Sequence, residues 1–301
     1  MPSTPHLFGG DWTEQKLESV RRYLVAYTTA LKNTPFRIAY IDAFAGTGYR
    51  KPRPRRGSDT AAQAPFWGLT TEIGAPDSQR FLDGSARIAL QVEPRFHKYI
   101  FIENNPKRCA ELERLKDEFP DKREDIVVEP EDANAYLQRI CRRKETWRTR
   151  RAVVFLDPYG MQVEWETIKA IGETKAIDLW ILFPLGVAVN RMVTKDGKII
   201  DAWRRKLDIM FGDTGWYEEF YRELVSHDLL GKRAELKKVA NFDSIGQYFV
   251  RRLQTVFYRV AESPRPLYNS RNNPLFLLCF ATGNPKGAPI AMRIADHILK
   301  S

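Results

Sequence analysis

FRIAYIDAFAGTG, residues 36–48, is an apolar, β-prone run that ends in small residues and glycines. That is the pattern of a buried strand entering a tight loop. Gly46 and Gly48 let the backbone approach a ligand closely and adopt positive φ. Working outward, the pattern repeats. Residues 13–32 place Leu17, Val20, Leu24, Tyr27 and Leu31 on one helix face. Residues 83–93 read as a helix capped by Ser85, 98–103 as a second strand and 105–119 as an amphipathic helix. A third strand (125–133), a helix through Leu137 and Cys141, a fourth strand (152–160), a helix (165–171) and a fifth strand (177–183) follow. Strands alternating with helices predict an open, mostly parallel α/β sheet, Rossmann-like, with helices on both faces.

The rest of the chain is organised around that core. Residues 49–80 have no sustained periodicity and are rich in Pro, Gly, Ser and Arg, a long basic loop insertion. Residues 190–265 read as a mainly helical insertion, 274–282 as a returning strand and 286–300 as a closing helix. We therefore expect one domain over 1–301, its core formed by 33–189 and 272–301. The aromatics Trp203, Trp216, Tyr217, Phe220 and Tyr221 fit a packed core better than a base-stacking platform.

Composition narrows the function classes. The 301 residues are 43% hydrophobic and carry a formal net charge of +10, a balance that favours anionic partners such as nucleic acid. Three cysteines without a CxxC, and four scattered histidines, point to neither a disulfide framework nor a metal site. The longest apolar run, residues 179–189, is too short to span a bilayer. No secretory pattern opens the chain, so no membrane association and a cytoplasmic location are expected.

The ligand side of such a sheet is the carboxyl end of its strands. Polar residues stand at four successive strand ends. Asp42 leads into Phe44, Gly46 and Gly48; Glu103 and Asn104 end the second strand; Asp132, Ala133 and Asn134 follow the third; Asp157, Pro158, Tyr159 and Gly160 follow the fourth. A carboxylate at the second strand end is the usual acceptor for ribose hydroxyls, and polar groups after the third can meet an adenine edge. A nicotinamide fingerprint is disfavoured, because Lys51 stands where the third glycine of GxGxxG belongs. Arg50, Lys51, Arg53, Arg55 and Arg56 could grip a nucleic-acid backbone beside the site. Residues 142–151 carry a second basic cluster, better read as a solvated surface at the opposite sheet edge.

FAGTG after a strand, an acid ending the second strand and DPYG after the fourth resemble class I S-adenosylmethionine-dependent methyltransferases. More closely, the chain resembles the bacterial three-Cys-motif partner (TcmP) family. The similarity is carried by residues 8–32, YIDAFAGTG (40–48), YIFIENNP (99–106), FLDPYG (155–160) and 275–299. The resemblance implies S-adenosyl-L-methionine as cofactor. Asp42, Gly46 and Gly48 would hold its methionine end, with Phe44 beside them. Glu103 and Asn104 would meet the ribose, and Asp132, Ala133 and Asn134 the adenine.

DPYG is similar to the DPPY-type motif of amino-methyltransferases and to the DPFG form of tRNA guanine N2-methyltransferases. The implied substrate is an exocyclic amino group of a nucleic-acid base, adenine N6 or guanine N2, in RNA or DNA. Asp157 and the Pro158 carbonyl would accept hydrogen bonds from the NH2 while Tyr159 stacks on the base. Two alternatives stand beside this. Asp-Pro could simply stop a strand while Tyr159 packs. Alternatively, the chain could be a non-catalytic partner of a three-Cys-motif protein.

Overall fold

The computed structural model describes residues 11–45, 84–228 and 231–301. The basic loop, with Gly46, Gly48, Arg50, Lys51, Arg53, Arg55 and Arg56, therefore lies outside the described residues.

Helix α1 (Asp11–Leu31) precedes strand β1 (Arg37–Asp42). Then come α2 (Gly84–Gln91), β2 (Lys98–Ile102), α3 (Pro106–Glu118), β3 (Ile126–Glu129), α4 (Ala133–Cys141), β4 (Arg150–Leu156), α5 (Trp165–Glu173) and β5 (Ile177–Phe183). After an insertion, β8 (Arg259–Val260), β9 (Arg265–Tyr268), β10 (Pro274–Thr282) and α9 (Ala288–Lys300) complete the sheet. The strand order is β3-β2-β1-β4-β5-β10-β8, with β9 also on β10. The pairings among β3, β2, β1, β4 and β5 are parallel, and β10 runs antiparallel to β5. The order reverses between β1 and β4, so the switch point at which such sheets take ligands lies at those two strand ends. This is the Rossmann-like, methyltransferase-type fold expected from the sequence, closed by a reversed strand.

Period-two alternation divides the core between two faces. Tyr40, Tyr99, Phe101, Val153, Phe155, Trp180 and Phe280 pack under α1, α2 and α9. Ile41, Ile102, Val154, Leu156, Ile181 and Phe183 pack on the other face, against α4, α5 and the insertion. β5 is buried along its whole length, so its apolar run carries no alternation.

The insertion departs from expectation. It holds α6 (Asp201–Phe211), α7 (Gly215–Phe220) and α8 (Phe242–Gln254), but also a hairpin of β6 (Tyr221–Asp228) and β7 (Gly231–Lys238). Moreover, β8 lies inside the range expected to be inserted, yet it pairs with β10 in the main sheet. The 190–265 boundary is therefore corrected: the core resumes before it ends. The aromatics do form core. Phe183 stacks on Phe249 at 4.2 Å, and Phe211 meets Trp216, Phe220 and Tyr248. Ser85 is also corrected. Ser85 lies within helix α2 and not at its cap; it is buried, and its hydroxyl turns to Asp42. Arg150 and Arg151 begin β4, at the end of the sheet away from the switch point.

At that same lower end, Asp178 is buried and accepts hydrogen bonds from the Tyr23 hydroxyl at 2.7 Å and the Thr282 hydroxyl at 2.5 Å. Burial pushes its carboxyl up to about 6 from 3.8. The folded protein therefore holds this proton more tightly than the unfolded chain does. The associated stability is fully present below pH 3.8 and is lost as pH rises to about 6. Relative to Asp178→Asn, the wild type is expected to lose on the order of 2–3 kcal/mol between pH 4 and pH 7. Parallel melting curves of the two proteins across that window check this, and equal slopes would contradict it.

Candidate active site

Asp42 is the last residue of β1 and sits at the register level of Phe101 on β2 and Phe155 on β4. The chain stays pinned beyond the strands. The Ala43 N–H donates to the Phe155 carbonyl and the Ala45 N–H to the Ile102 carbonyl, each at 3.1 Å. Alternation carries Asp42 to the α1 face, and Asp157 follows Val153 and Phe155 to the same face. The two carboxylates thus come together at the switch point. Asp157 raises the proton affinity of Asp42 through its negative charge.

Asp42 is fully buried. Desolvation is the main reason its carboxyl rises to about 7 from 3.8. The Ser85 hydroxyl and the Phe44 backbone N–H donate to it and oppose the rise. The Tyr40 hydroxyl also donates, at 3.4 Å to Oδ2. Among the described residues, Asp42 Oδ1 has no hydrogen-bond partner. A buried carboxylate oxygen left without a partner is costly, and it marks a place where a ligand donor fits.

The surprise is Lys16. It stands on α1, 3% exposed, with Nζ 2.5 Å from Asp157 Oδ2, and its charge also lowers the proton affinity of Asp42. Sequence reading passed over it. Yet Lys16 lies four residues before Val20, on the buried stripe of α1 where an apolar residue would be expected. A charge on the apolar face was the available signal.

Glu103, buried after β2, accepts from the Asn105 N–H at Oε1 (2.8 Å) and meets Arg108 Nη1 at Oε2 (3.4 Å). The same Arg108 guanidinium lies 5.8 Å from the Tyr159 ring centre. Arg108, also missed in the sequence, links the second and fourth strand ends. Asn104 is exposed beside them.

The third strand end behaves differently. Asp132 caps α4 by accepting from the Ala135 N–H at 3.0 Å. The buried Asn134 donates Nδ2 to the Gln162 carbonyl (2.8 Å) and accepts at Oδ1 from the Glu164 N–H and the Thr167 hydroxyl. Its amide ties α4 to the segment after DPYG. Near this site, Asn134 shapes the wall, and its hydrogen-bonding capacity is already engaged internally. Ala133 is buried beside it.

In DPYG itself, Pro158 is buried and Tyr159 is 46% exposed, with its N–H donating to Gln162 Oε1 at 2.9 Å. Gly160 has φ +70. The left-handed turn at Gly160 and the Gln162 hydrogen bond accompany an exposed Tyr159 ring beside Asp157. Phe44 is half-buried and packs against the core on the side of α4 and α5.

Among the described residues no cluster of three His, Cys, Asp or Glu could hold a metal, and no helix is long and apolar enough to cross a membrane. All three cysteines are buried and unbridged.

No family model and no curated sequence matches the chain. Among solved structures, protein LPL1258 from Legionella pneumophila str. Philadelphia 1, of the family model DUF519, is similar at 13% identity. The likeness covers 97% of this chain and 92% of that one, with a TM-score of 0.45. An Escherichia coli protein described as "Putative methyltransferase yhhF" is similar at 11% identity over 80% of this chain and 89% of that one, with a TM-score of 0.28. At those scores neither likeness bears on activity. The fold class rests on the strand order and directions.

Proposed function

We propose that this protein is an S-adenosylmethionine-dependent methyltransferase acting on an exocyclic amino group, that of adenine N6 or guanine N2 in RNA or DNA. The observation that carries the reading is the pair of carboxylates, Asp42 and Asp157, at the switch point, with one buried oxygen of Asp42 unpartnered. The donor set fits the cofactor. Asp42 Oδ1 would accept from the ammonium of its methionine end, together with Gly46 and Gly48. Glu103, with Asn104 beside it, would accept from ribose hydroxyls, and Asp132 with Ala133 would border the adenine. When bound, the cofactor supplies an activated methyl group.

The chain's own part is positioning and electrostatics. Asp157 accepts a hydrogen bond from the target amino group, the Pro158 carbonyl accepts a second, and the Tyr159 ring stacks on the base. A base within a duplex would first leave the stack to reach these groups. Arg50, Lys51, Arg53, Arg55 and Arg56 would hold the phosphate backbone. Calorimetric titration tests the first requirement. Saturable binding of S-adenosylmethionine in the micromolar range, about −8 kcal/mol, with none of NAD, is the expected result. Absence of binding would end this reading.

One observation favours a second reading, a non-catalytic partner of a three-Cys-motif protein: the carboxylate assigned to the substrate is already engaged by Lys16. Cofactor binding without transfer to tRNA, rRNA or DNA, alongside tight binding of such a protein, would decide for it.

A further inference from the structure

A lysine ammonium is rarely as buried as that of Lys16, because removing it from water is costly unless a partner compensates. The partner here is Asp157, at 2.5 Å, and the ring of Trp12 lies 5.3 Å from the ammonium on its own helix. Trp12 in turn stacks on Phe276 of β10 at 5.1 Å. The first turns of α1 are thereby packed over the strand ends of the site. Among the described residues, the charged groups meeting there are Lys16 from α1, Asp42 from β1 and Asp157 after β4. The Tyr40 and Ser85 hydroxyls donate to Asp42, and Arg108 is engaged farther along with Glu103. Among the described residues, two carboxylates and one ammonium give the cluster one negative charge when both acids are ionised.

We propose that Lys16 is a positioning residue of this site. Its ammonium fixes the orientation of the Asp157 carboxylate and sets the net charge that the two strand ends present to a ligand. The identity of that ligand rests on the methyl-transfer reading above. S-adenosylmethionine carries a positive charge at sulfur that S-adenosylhomocysteine lacks, so the ratio of their affinities reads the charge of the cluster directly. No methyl acceptor is needed for the measurement.

The experiment is calorimetry at pH 8, where Asp42 is mostly ionised, on the wild type, Lys16→Met, Lys16→Arg and Asp157→Asn. Asp157→Asn is expected to lower the preference for S-adenosylmethionine over S-adenosylhomocysteine about tenfold, and Lys16→Met to raise it by less, because loss of the ammonium also raises the proton affinity of Asp42. Lys16→Arg should stay within about twofold of wild type, since the charge is kept. An unmoved ratio in Asp157→Asn, or a ratio in Lys16→Arg displaced well beyond about twofold from wild type, would overturn the inference. Those two variants decide the matter even where Lys16→Met does not fold. Wild-type protein that binds neither ligand defeats the methyl-transfer reading and this inference together. Binding with an unmoved ratio defeats the inference alone.

Discussion

Asp157→Ala is expected to lower methyl transfer about 10²- to 10³-fold, on whichever of tRNA, rRNA or DNA the wild type modifies. The same substitution should also destabilise the fold. It removes the partner of a lysine whose side chain is 4% exposed, and breaking a buried pair from one side costs about 3–5 kcal/mol. Lost activity in Asp157→Ala would therefore mix two effects. Asp157→Asn separates them. Its side-chain carbonyl still accepts from Lys16, so the melting temperature should fall less than in the alanine variant. The neutral amide is a weaker acceptor for the target amine, so transfer should remain strongly depressed. Single-turnover assays beside thermal melts check both parts. Wild-type turnover in a folded Asp157→Asn protein would remove Asp157 from its assigned role.

Gly186→Ala should cost about 4 kcal/mol or more of stability. Gly186 follows β5 in a π-helical turn (Leu185–Val189) packed on the start of β10. A Cβ at this position would stand 1.9 Å from the Pro274 carbonyl oxygen, and that neighbour is backbone. Relief would require moving the turn after β5 away from β10. Gly160→Ala is the contrast. Nothing lies within 4 Å of its Cβ position, and only the positive φ of +70 opposes the substitution. A cost of about 1–2 kcal/mol is expected there. Denaturant unfolding of the two variants should rank them in that order by a wide margin; equal midpoints would show that the turn after β5 yields easily.

The strands were the most legible part of the chain. β5 and β10 are short apolar runs whose observed bounds, Ile177–Phe183 and Pro274–Thr282, agree with their sequence limits. Burial on both faces favours a nearly continuous apolar run, broken only by the hydrogen-bonded pair Asp178 and Thr282. The hairpin of β6 and β7 was hidden because half of its residues are charged. RELVSHD and GKRAELKK carry no two-residue alternation, and the pairing shows only in register. Ser85 was misplaced for a related reason. A serine near a helix start satisfies the capping preference, and only packing shows that its hydroxyl serves Asp42.

What the sequence determined by itself was the succession of strands and helices and the presence of polar residues at the strand ends. Both follow from local periodicity and from the chemistry of turns, which neighbouring residues specify. What only the tertiary structure decided was which of those polar groups remain available. Asp132 and Asn134 stand at a strand end as expected, yet one caps a helix and the other joins α4 to the segment after DPYG. Lys16 and Asp157 are 141 residues apart and become an ion pair only where α1 crosses the switch point. Charge compensation in a buried site is settled by which groups meet after folding, and residue spacing along the chain does not encode that meeting.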